Sequence, residues 1–135
     1  QDGEQVAALE SWADVDPSGD VKACAISPDG SFIASGGSDG ILRIWSTESM
    51  SEKRVFKGHK EDITACAISF DSSMLVSSSW DGTLRLWNPQ TCEHLLTLEG
   101  HSGSVNGCAF SPCGEYVVSA GDDMTVKIWD IADLC

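Results

Sequence analysis

The chain has few basic residues and no long apolar run. It carries 8 Lys and Arg against 21 Asp and Glu in 135 residues, which gives a formal net charge of −13. A surface this acidic repels phosphate backbones and anionic lipid headgroups, so we expect neither direct nucleic-acid binding nor membrane binding. No apolar stretch approaches the roughly 20 residues that a membrane span needs, and no signal-peptide pattern stands at the start. Hydrophobic residues still make up 41% of the chain, which is enough for a packed core.

Sequence signatures of metal binding and phosphate binding are missing as well. There is no C-x-x-C pair and no G-x-x-x-x-G-K-[ST] loop. We therefore expect no metal and no cofactor. Cys24, Cys66 and Cys108 each lie inside an apolar run, where a free cysteine acts as a small core hydrophobe. Reduced cysteines indicate an intracellular protein, which we expect in the cytoplasm, with the nucleus as the alternative.

A period of 42 residues organises the chain. Trp45, Trp87 and Trp129 are spaced by this step, and the three cysteines follow it too. The Gly58-His59 pair recurs as Gly100-His101. Two further sets with the same spacing are Asp39, Asp81 and Asp123, and Ser35, Ser77 and Ser119. A period between 40 and 45 residues with a Gly-His pair and a terminal Trp is typical of a repeat architecture.

Each period contains four short β-strand patterns. In the second repeat, apolar or alternating runs cover residues 63–69, 74–78, 83–87 and 94–98. Tight-turn residues separate these runs, including Asp81-Gly82, where we expect the glycine to adopt a positive φ. No helical periodicity is present. The pattern therefore predicts an all-β fold of four-stranded antiparallel units.

The segments that end the third strand pattern of each period resemble WD40 repeats. They read Leu42-Arg43-Ile44-Trp45, Leu84-Arg85-Leu86-Trp87 and Val126-Lys127-Ile128-Trp129-Asp130. The resemblance covers roughly residues 15–132 and implies a β-propeller, in which four-stranded blades surround a central channel. It also implies that each repeat supplies the outer strand of one blade and the three inner strands of the next.

We expect an incomplete ring, because propellers close with about 4–8 blades and this chain has three repeats. The predicted division is 1–10 as the outer strand of a preceding or ring-closing blade, 11–20 as an acidic loop, and repeats at 21–57, 58–99 and 100–135. The third repeat lacks its outer strand in this division. Two explanations stay open. Either the chain is a fragment of a longer WD40 protein, since it begins at Gln1, or copies of it assemble into a homo-oligomer.

The repeated Ser, His and Asp residues invite a hydrolase interpretation. A catalytic triad occurs once per site, however, whereas this set recurs with the repeat. The resemblance instead implies a structural network in which Asp accepts a hydrogen bond from His, and Ser links His to the Trp N–H. The predicted network residues are His59, Ser77, Asp81 and Trp87 in repeat 2, His101, Ser119, Asp123 and Trp129 in repeat 3, and Ser35, Asp39 and Trp45 in repeat 1. The histidine position of repeat 1 is Pro17, so its network is incomplete.

The resemblance also implies a partner-binding surface, made by the loops that lead into the first strand of each blade and by the turns that hold the repeated Asp. The predicted contact residues are Asp20, Lys22, Ser38, Asp62, Thr64, Trp80, Ser104, Asn106 and Asp122. Trp80 stands out because its counterparts, Ser38 and Asp122, are small or polar. It is either an exposed interface anchor or a side chain folded over its own blade. The acidic residues around it favour partners that contain Lys or Arg.

The sequence thus predicts a non-catalytic scaffold that binds other proteins or peptides. Two alternatives of other classes stay open. One is a sensor or regulatory segment of a larger multidomain assembly, such as an ATPase-based complex, although nothing in these residues encodes an ATPase. The other, which we favour less, is a hydrolase that uses the Ser, His and Asp sets.

Overall fold

The computed structural model describes Gly3 and residues 20–134. In this part of the chain, short β-strands follow one another with tight turns between them. The strands are β1 (Val21–Ile26), β2 (Phe32–Gly37), β3 (Ile41–Ser46), β4 (Glu52–Lys57), β5 (Ile63–Ile68), β6 (Leu75–Ser79), β7 (Thr83–Asn88), β8 (Glu93–Glu99), β9 (Val105–Phe110), β10 (Tyr116–Gly121) and β11 (Val126–Asp130), followed by a 3-10 turn at Ala132–Leu134.

Consecutive strands pair in antiparallel fashion to form separate sheets. Strands β1 to β4 make one sheet, β5 to β8 make a second, and β9 to β11 make a third with three strands. We call these sheets blade 1, blade 2 and blade 3. The predicted all-β fold of four-stranded antiparallel blades in an unclosed ring is therefore confirmed for the described residues.

The observed strand limits differ from the sequence prediction by one residue at several ends. The second strand of blade 2, β6, was expected to begin at Met74 but begins at Leu75. Met74 N–H donates to Ser69 Oγ at 2.9 Å, and the Met74 carbonyl accepts from Ser69 N–H. Both backbone groups of Met74 therefore close the preceding turn, and the sheet ladder starts one residue later.

The core lies between the blades and not inside any one of them. Strand alternation gives each blade two apolar faces, and the front face of one blade packs on the back face of the next. Leu42 and Ile44 on the front of blade 1 meet Ile63 and Leu75 on the back of blade 2. A second cluster joins the front of blade 2 to the back of blade 3. Its buried members are Met74, Val76, Leu84, Leu86, Leu98, Val105, Val117 and Ile131.

The three cysteines that follow the repeat lie in different environments. Cys66 and Cys108 are half-buried and packed against the two clusters, and burial raises the pKa of both thiols to about 12. Cys24 is exposed, so the prediction of a core position is wrong for this residue. The reason is that the Cys24 side chain lies on the back face of blade 1, and nothing in the described part of the chain packs against that face.

Several predictions fall on residues outside the described part of the chain. The outer strand predicted within 1–10 lies there, apart from Gly3, and so does the acidic loop predicted at 11–20, apart from Asp20. Pro17, at the histidine position of repeat 1, lies outside as well.

Candidate partner-binding face and the side-chain networks beneath it

The nine predicted contact residues gather at one end of the sheets. In each blade, the loop before the first strand and the turn between the second and third strands lie at the same end, because the strands alternate in direction. One backbone hydrogen bond joins loop and turn in every blade. These bonds run from Ser38 N–H to the Asp20 carbonyl at 2.9 Å, from Trp80 N–H to the Asp62 carbonyl at 3.0 Å, and from Asp122 N–H to the Ser104 carbonyl at 2.9 Å. We call this surface the Trp80 face.

Trp80 occupies the middle of this face and remains 46% exposed. The ammonium of Lys22, which comes from blade 1, lies 4.0 Å from the centroid of the Trp80 ring. The same ammonium forms an ion pair with Asp62 at 2.9 Å. Trp80 is therefore neither fully open nor folded over its own blade. Its ring and the Asp62 carboxylate together hold a cation that a neighbouring blade supplies.

The other predicted contact residues differ in their exposure and in the hydrogen bonds that their side chains already make. Asn106 donates a hydrogen bond from its side-chain amide to Asp122, and both residues are exposed. Ser104 Oγ–H donates to the Trp80 carbonyl at 3.4 Å. Thr64 is half-buried, and its hydroxyl donates to the Val105 carbonyl. Thr64 thus has its donor engaged inside the fold.

Beneath this face, the second repeat brings its four network side chains together in one chain of hydrogen bonds. Trp87 Nε1–H donates to Ser77 Oγ at 3.0 Å, and Ser77 Oγ lies 2.7 Å from His59 Nε2. His59 Nδ1 lies 3.0 Å from the Asp81 carboxylate. A neutral His59 that is protonated on Nδ1 satisfies every contact, with Ser77 donating to Nε2. Gly58 leaves room for this arrangement, since a Cβ there would lie 2.9 Å from the Trp87 ring.

The third repeat has the same arrangement at matching distances. Trp129 Nε1–H donates to Ser119 Oγ at 2.9 Å, Ser119 Oγ lies 2.7 Å from His101 Nε2, and His101 Nδ1 lies 2.9 Å from Asp123. In both repeats, the Asp also accepts from backbone N–H groups on either side of the network. The recurrence shows that the geometry belongs to the repeat and not to a single site.

Blade 1 replaces part of this network with an arginine. Trp45 Nε1–H donates to Ser35 Oγ at 2.8 Å, as in the other blades. Asp39 instead pairs with the Arg43 guanidinium at 3.0 Å, and Arg43 also approaches Glu52 at 3.5 Å. Sequence reasoning treated Asp39 as a member of an incomplete network and did not identify Arg43. Arg43 lies four residues after Asp39, and this spacing was a possible signal of the pair. However, Arg85 lies four residues after Asp81, so the spacing alone does not distinguish blade 1 from blade 2.

Comparison with known proteins agrees with this geometry. A family model described as "WD domain, G-beta repeat" matches residues 11–46, 50–88 and 92–130. The chain belongs to the WD40-repeat family. Each matched range ends with the third strand of a blade, so the last two ranges begin around the outer strand of the blade before, as the resemblance implied.

Two solved WD40 structures are similar to this chain. "Structure of U3-55K" and "Crystal structure of RRP9 WD40 repeats" each match with a TM-score of 0.83 and 30% identity, over 88% of this chain and 38% of theirs. The general transcriptional corepressor TUP1 of Saccharomyces cerevisiae is 38% identical over 48 residues, which is 34% of this chain and 7% of TUP1. This WD40 chain thus spans less than half the length of each of these proteins.

Burial and hydrogen bonding together set the protonation of His59 and Asp81 in the second repeat. Burial lowers the pKa of His59, and the nearby Asp81 carboxylate offsets only part of this effect. Burial also acts on Asp81, in the opposite direction, but hydrogen bonds from Thr83, His59 and Lys60 N–H outweigh it and hold the pKa of Asp81 at about 2. A neutral histidine between a hydroxyl and a carboxylate resembles a catalytic relay. However, the Ser77 oxygen is buried and already accepts the Trp87 N–H, so it is not placed to attack a substrate.

The described residues lack two features, a cluster of candidate metal ligands and a membrane-spanning helix. They contain no group of three His, Cys, Asp or Glu side chains arranged to hold a metal. Within the same residues, no helix has the length and hydrophobicity to cross a membrane. Members of the WD40 family are generally non-catalytic scaffolds.

Proposed function

We propose that this WD40 chain is a protein-interaction module whose Trp80 face binds Lys- or Arg-containing segments of partner proteins. The observation that carries the proposal is the position of the Lys22 ammonium, 4.0 Å from the centroid of the Trp80 ring and 2.9 Å from the Asp62 carboxylate. An aromatic face beside a carboxylate is the combination that attracts an organic cation. The face already holds one cation from its own chain, which supports the same chemistry for a partner.

The charge of the face supports the same class of partner. Its nine residues include the carboxylates of Asp20, Asp62 and Asp122 but only one ammonium, that of Lys22. The whole chain is acidic, with a formal net charge of −13, so a basic segment is drawn toward it from a distance. General attraction of this kind gives no specificity, and Trp80 supplies the local contact that does.

The test compares two exposed aromatic residues at opposite ends of the same strand. Trp80 follows β6, and Phe70, which is 76% exposed, lies in the turn before it. Trp80→Ala and Phe70→Ala each remove one aromatic ring without changing the net charge. The probe is a fluorescein-labelled peptide of alternating Gly and Lys, measured by anisotropy at about 0.15 M salt to screen long-range attraction.

We expect Trp80→Ala to weaken peptide binding at least about tenfold, or roughly 1.4 kcal/mol, because interface tryptophans contribute strongly to affinity. Phe70→Ala should bind like the wild type, and a Gly-Glu peptide should not bind. Equal affinities for Trp80→Ala and Phe70→Ala would contradict the proposal, since they would reduce the interaction to net charge alone.

A second pair of variants tests whether Lys22 competes with the partner. Lys22→Met removes the internal cation, and Lys53→Met makes the same change of charge on exposed β4, away from the face. We expect Lys22→Met to bind the Gly-Lys peptide more tightly than Lys53→Met, because the Trp80 ring and Asp62 are then free. Equal gains for the two variants would show that only the charge changed.

The alternative of a regulatory segment in a larger assembly has one supporting observation. The corepressor TUP1, which is similar over 48 residues, is described as a transcriptional protein. That similarity supports a nuclear location as the alternative to a cytoplasmic one. Fluorescence imaging of the tagged chain in cells distinguishes a nuclear from a cytoplasmic location, and exclusion from the nucleus would remove the nuclear alternative.

A further inference from the structure

The turn between β5 and β6 carries an aromatic side chain that the equivalent turns of blades 1 and 3 lack. Phe70 is 76% exposed, and the residues 42 positions before and after it are Pro28 and Pro112. A hydrogen bond from Ser69 N–H to the Met74 carbonyl, at 2.9 Å, closes this turn without the Phe70 backbone. Since proline occupies the same position of the turn twice, the fold does not require an aromatic ring there.

Phe70 borders a cleft between blade 2 and blade 3, which we call the Phe70 cleft. Blade 2 contributes Phe70 and Met74 to its lining, and blade 3 contributes Pro112 and Cys113. The volume of the cleft is about 180 Å³. Because a cavity of about 150 Å³ accommodates benzene, the cleft has room for one aromatic side chain. An aromatic ring also suits the lining, since it pairs favourably with another ring and with a methionine side chain.

Asp71 borders the same cleft and has one carboxylate oxygen available for a cation. Ser69 Oγ–H, Ser73 N–H and Ser73 Oγ–H all donate to Asp71 Oδ1, at 2.8, 3.0 and 2.6 Å. Within the described residues, Oδ2 accepts no hydrogen bond. The bonds from Ser73 and Ser69 lower the pKa of Asp71, so its carboxylate is charged at neutral pH.

The turns around the Phe70 cleft are acidic. At this end of blades 2 and 3 the turns cover residues 69–74, 89–92 and 111–115, and they contain Asp71 and Glu115 but no Lys or Arg. An apolar cleft beside unpaired carboxylates is complementary to a segment that presents an aromatic ring and a cation together.

We propose that the Phe70 cleft binds a partner segment in which an aromatic residue stands next to a Lys or Arg, with the ring between Phe70 and Pro112 and the cation on Asp71. This surface lies at the end of the blades opposite the Trp80 face, so it does not depend on the function proposed above. The Gly-Lys peptide has no aromatic residue and therefore does not address this cleft.

The repeat provides matched variants for the test. Phe70→Pro gives blade 2 the residue that blades 1 and 3 have at this position, so we expect the turn to keep its shape. Asp71→Asn removes the charge beside the cleft. Asp29→Asn makes the same change in the equivalent turn of blade 1, where Asp29 Oδ1 accepts the same three kinds of hydrogen bond. Far-UV circular dichroism and urea unfolding check that each variant is folded.

The readout is a ¹H–¹⁵N titration of the wild type with the peptide Gly-Ser-Phe-Lys-Ser-Gly, capped at both ends, at about 0.15 M salt. We expect the backbone signals of Phe70, Asp71, Cys113 and Gly114 to move and to saturate. Phe70→Pro should weaken binding at least about tenfold, because a central aromatic contact is lost. Asp71→Asn should weaken it about twofold to fivefold, since exposed ion pairs contribute little, and Asp29→Asn should bind like the wild type.

Two altered peptides test the chemistry without changing the protein. Replacing the peptide Phe with Ala should abolish the movement of the cleft signals, and replacing its Lys with Gln should weaken binding as much as Asp71→Asn does. Trp80→Ala should leave the movement unchanged. Equal binding of the Phe and Ala peptides, or equal binding by the wild type and Phe70→Pro, would overturn the proposal. So would movement of the same signals with protein concentration alone, because a second copy of this chain would then be the occupant.

Discussion

Ser72 holds a backbone conformation that its counterparts adopt without strain. Its φ is 64°, whereas the equivalent residues Gly30 and Gly114 have φ of 76°. A side chain in the left-handed region costs about 1 kcal/mol or more relative to glycine. The Ser72 hydroxyl is also buried and has no hydrogen-bond partner, which adds a desolvation penalty. Repeat 2 therefore carries a local strain that repeats 1 and 3 avoid.

We predict that Ser72→Gly stabilises the protein by about 1 kcal/mol, after allowing for the greater freedom of glycine in the unfolded chain. Urea unfolding followed by tryptophan fluorescence measures the change. The reverse substitution, Gly114→Ser, is the control and should destabilise. A loss of stability in Ser72→Gly would mean that the hydroxyl contributes more than the backbone strain costs.

Among the network residues, His59 is the one whose removal we expect to lower the free energy of unfolding most. Its side chain is fully buried and links Ser77 to Asp81. We predict that His59→Ala lowers the free energy of unfolding by about 2–3 kcal/mol, because it leaves polar groups unpaired in the interior. The exposed His94, which touches the edge of Trp87 and shares a hydrogen bond with Thr97 Oγ1, is the comparison, and His94→Ala should cost about 1 kcal/mol or less. Similar losses for the two variants would argue against the network.

The same residue makes stability depend on pH. Burial lowers the pKa of His59 in the folded state, so the unfolded chain takes up a proton first, near its ordinary pKa of about 6.5. The contribution is therefore complete above about pH 7 and is lost as the pH falls. We predict that the free energy of unfolding of the wild type, measured with urea, falls more between about pH 7 and about pH 5 than that of His59→Gln does. Parallel profiles for the two proteins would contradict the assignment of a neutral His59.

Some of these side-chain contacts could be predicted from the sequence, and others could not. The spacing of 42 residues led to eleven predicted network positions, because a repeat places equivalent residues in equivalent environments, but in blade 1 Asp39 pairs with Arg43 instead of a histidine. It could not identify the contact of Lys22 with Trp80, which joins neighbouring blades and depends on how closely they pack. It also gave no sign that the Thr64 hydroxyl is engaged with a backbone carbonyl of blade 3.

At the scale of the blade, the four-stranded pattern was readable from the sequence because strand alternation and turn residues are local signals. Gly82 has a φ of 86°, as the Asp-Gly turn predicted. Burial was less readable, since it depends on the neighbouring blade. Cys24, Cys66 and Cys108 occupy one position of the repeat, and yet only Cys24 is exposed, because no described residue packs against its face of blade 1.

In blade 1, Arg43 takes part in a side-chain network that differs from the histidine networks of blades 2 and 3, and this difference leads to a prediction about stability. Arg43 pairs with Asp39 and Glu52 and is 6% exposed, whereas the Nε of Arg85, at the same position of blade 2, is buried without a hydrogen-bond partner. Arg43→Met should therefore destabilise the protein by about 1–3 kcal/mol, and Arg85→Met should have a much smaller effect. Chemical unfolding of both variants checks this. A larger loss for Arg85→Met would mean that Asp39 does not depend on Arg43.

At the scale of the whole molecule, blade packing and the proposed partner binding use different surfaces. The apolar faces of the sheets pack blade 1 on blade 2 and blade 2 on blade 3. The Trp80 face is acidic and carries one half-exposed aromatic ring, so it suits a basic partner. Because the first surface consists of sheet faces and the second of turns at the strand ends, we expect changes on the Trp80 face to leave the packing between blades intact.

One measurement tests the central claim, that Trp80 binds partners while Trp45, Trp87 and Trp129 stabilise the fold. The indole N–H groups of Trp45, Trp87 and Trp129 each donate to a serine hydroxyl, whereas the Trp80 ring is half exposed. The indole signals are recorded in a ¹H–¹⁵N spectrum during titration with the Gly-Lys peptide, and the Trp80 signal is assigned from its loss in Trp80→Phe. We predict that the Trp80 signal moves and that the three network signals stay in place. A bound peptide that leaves the Trp80 signal unmoved, or that shifts the network signals instead, would contradict the account.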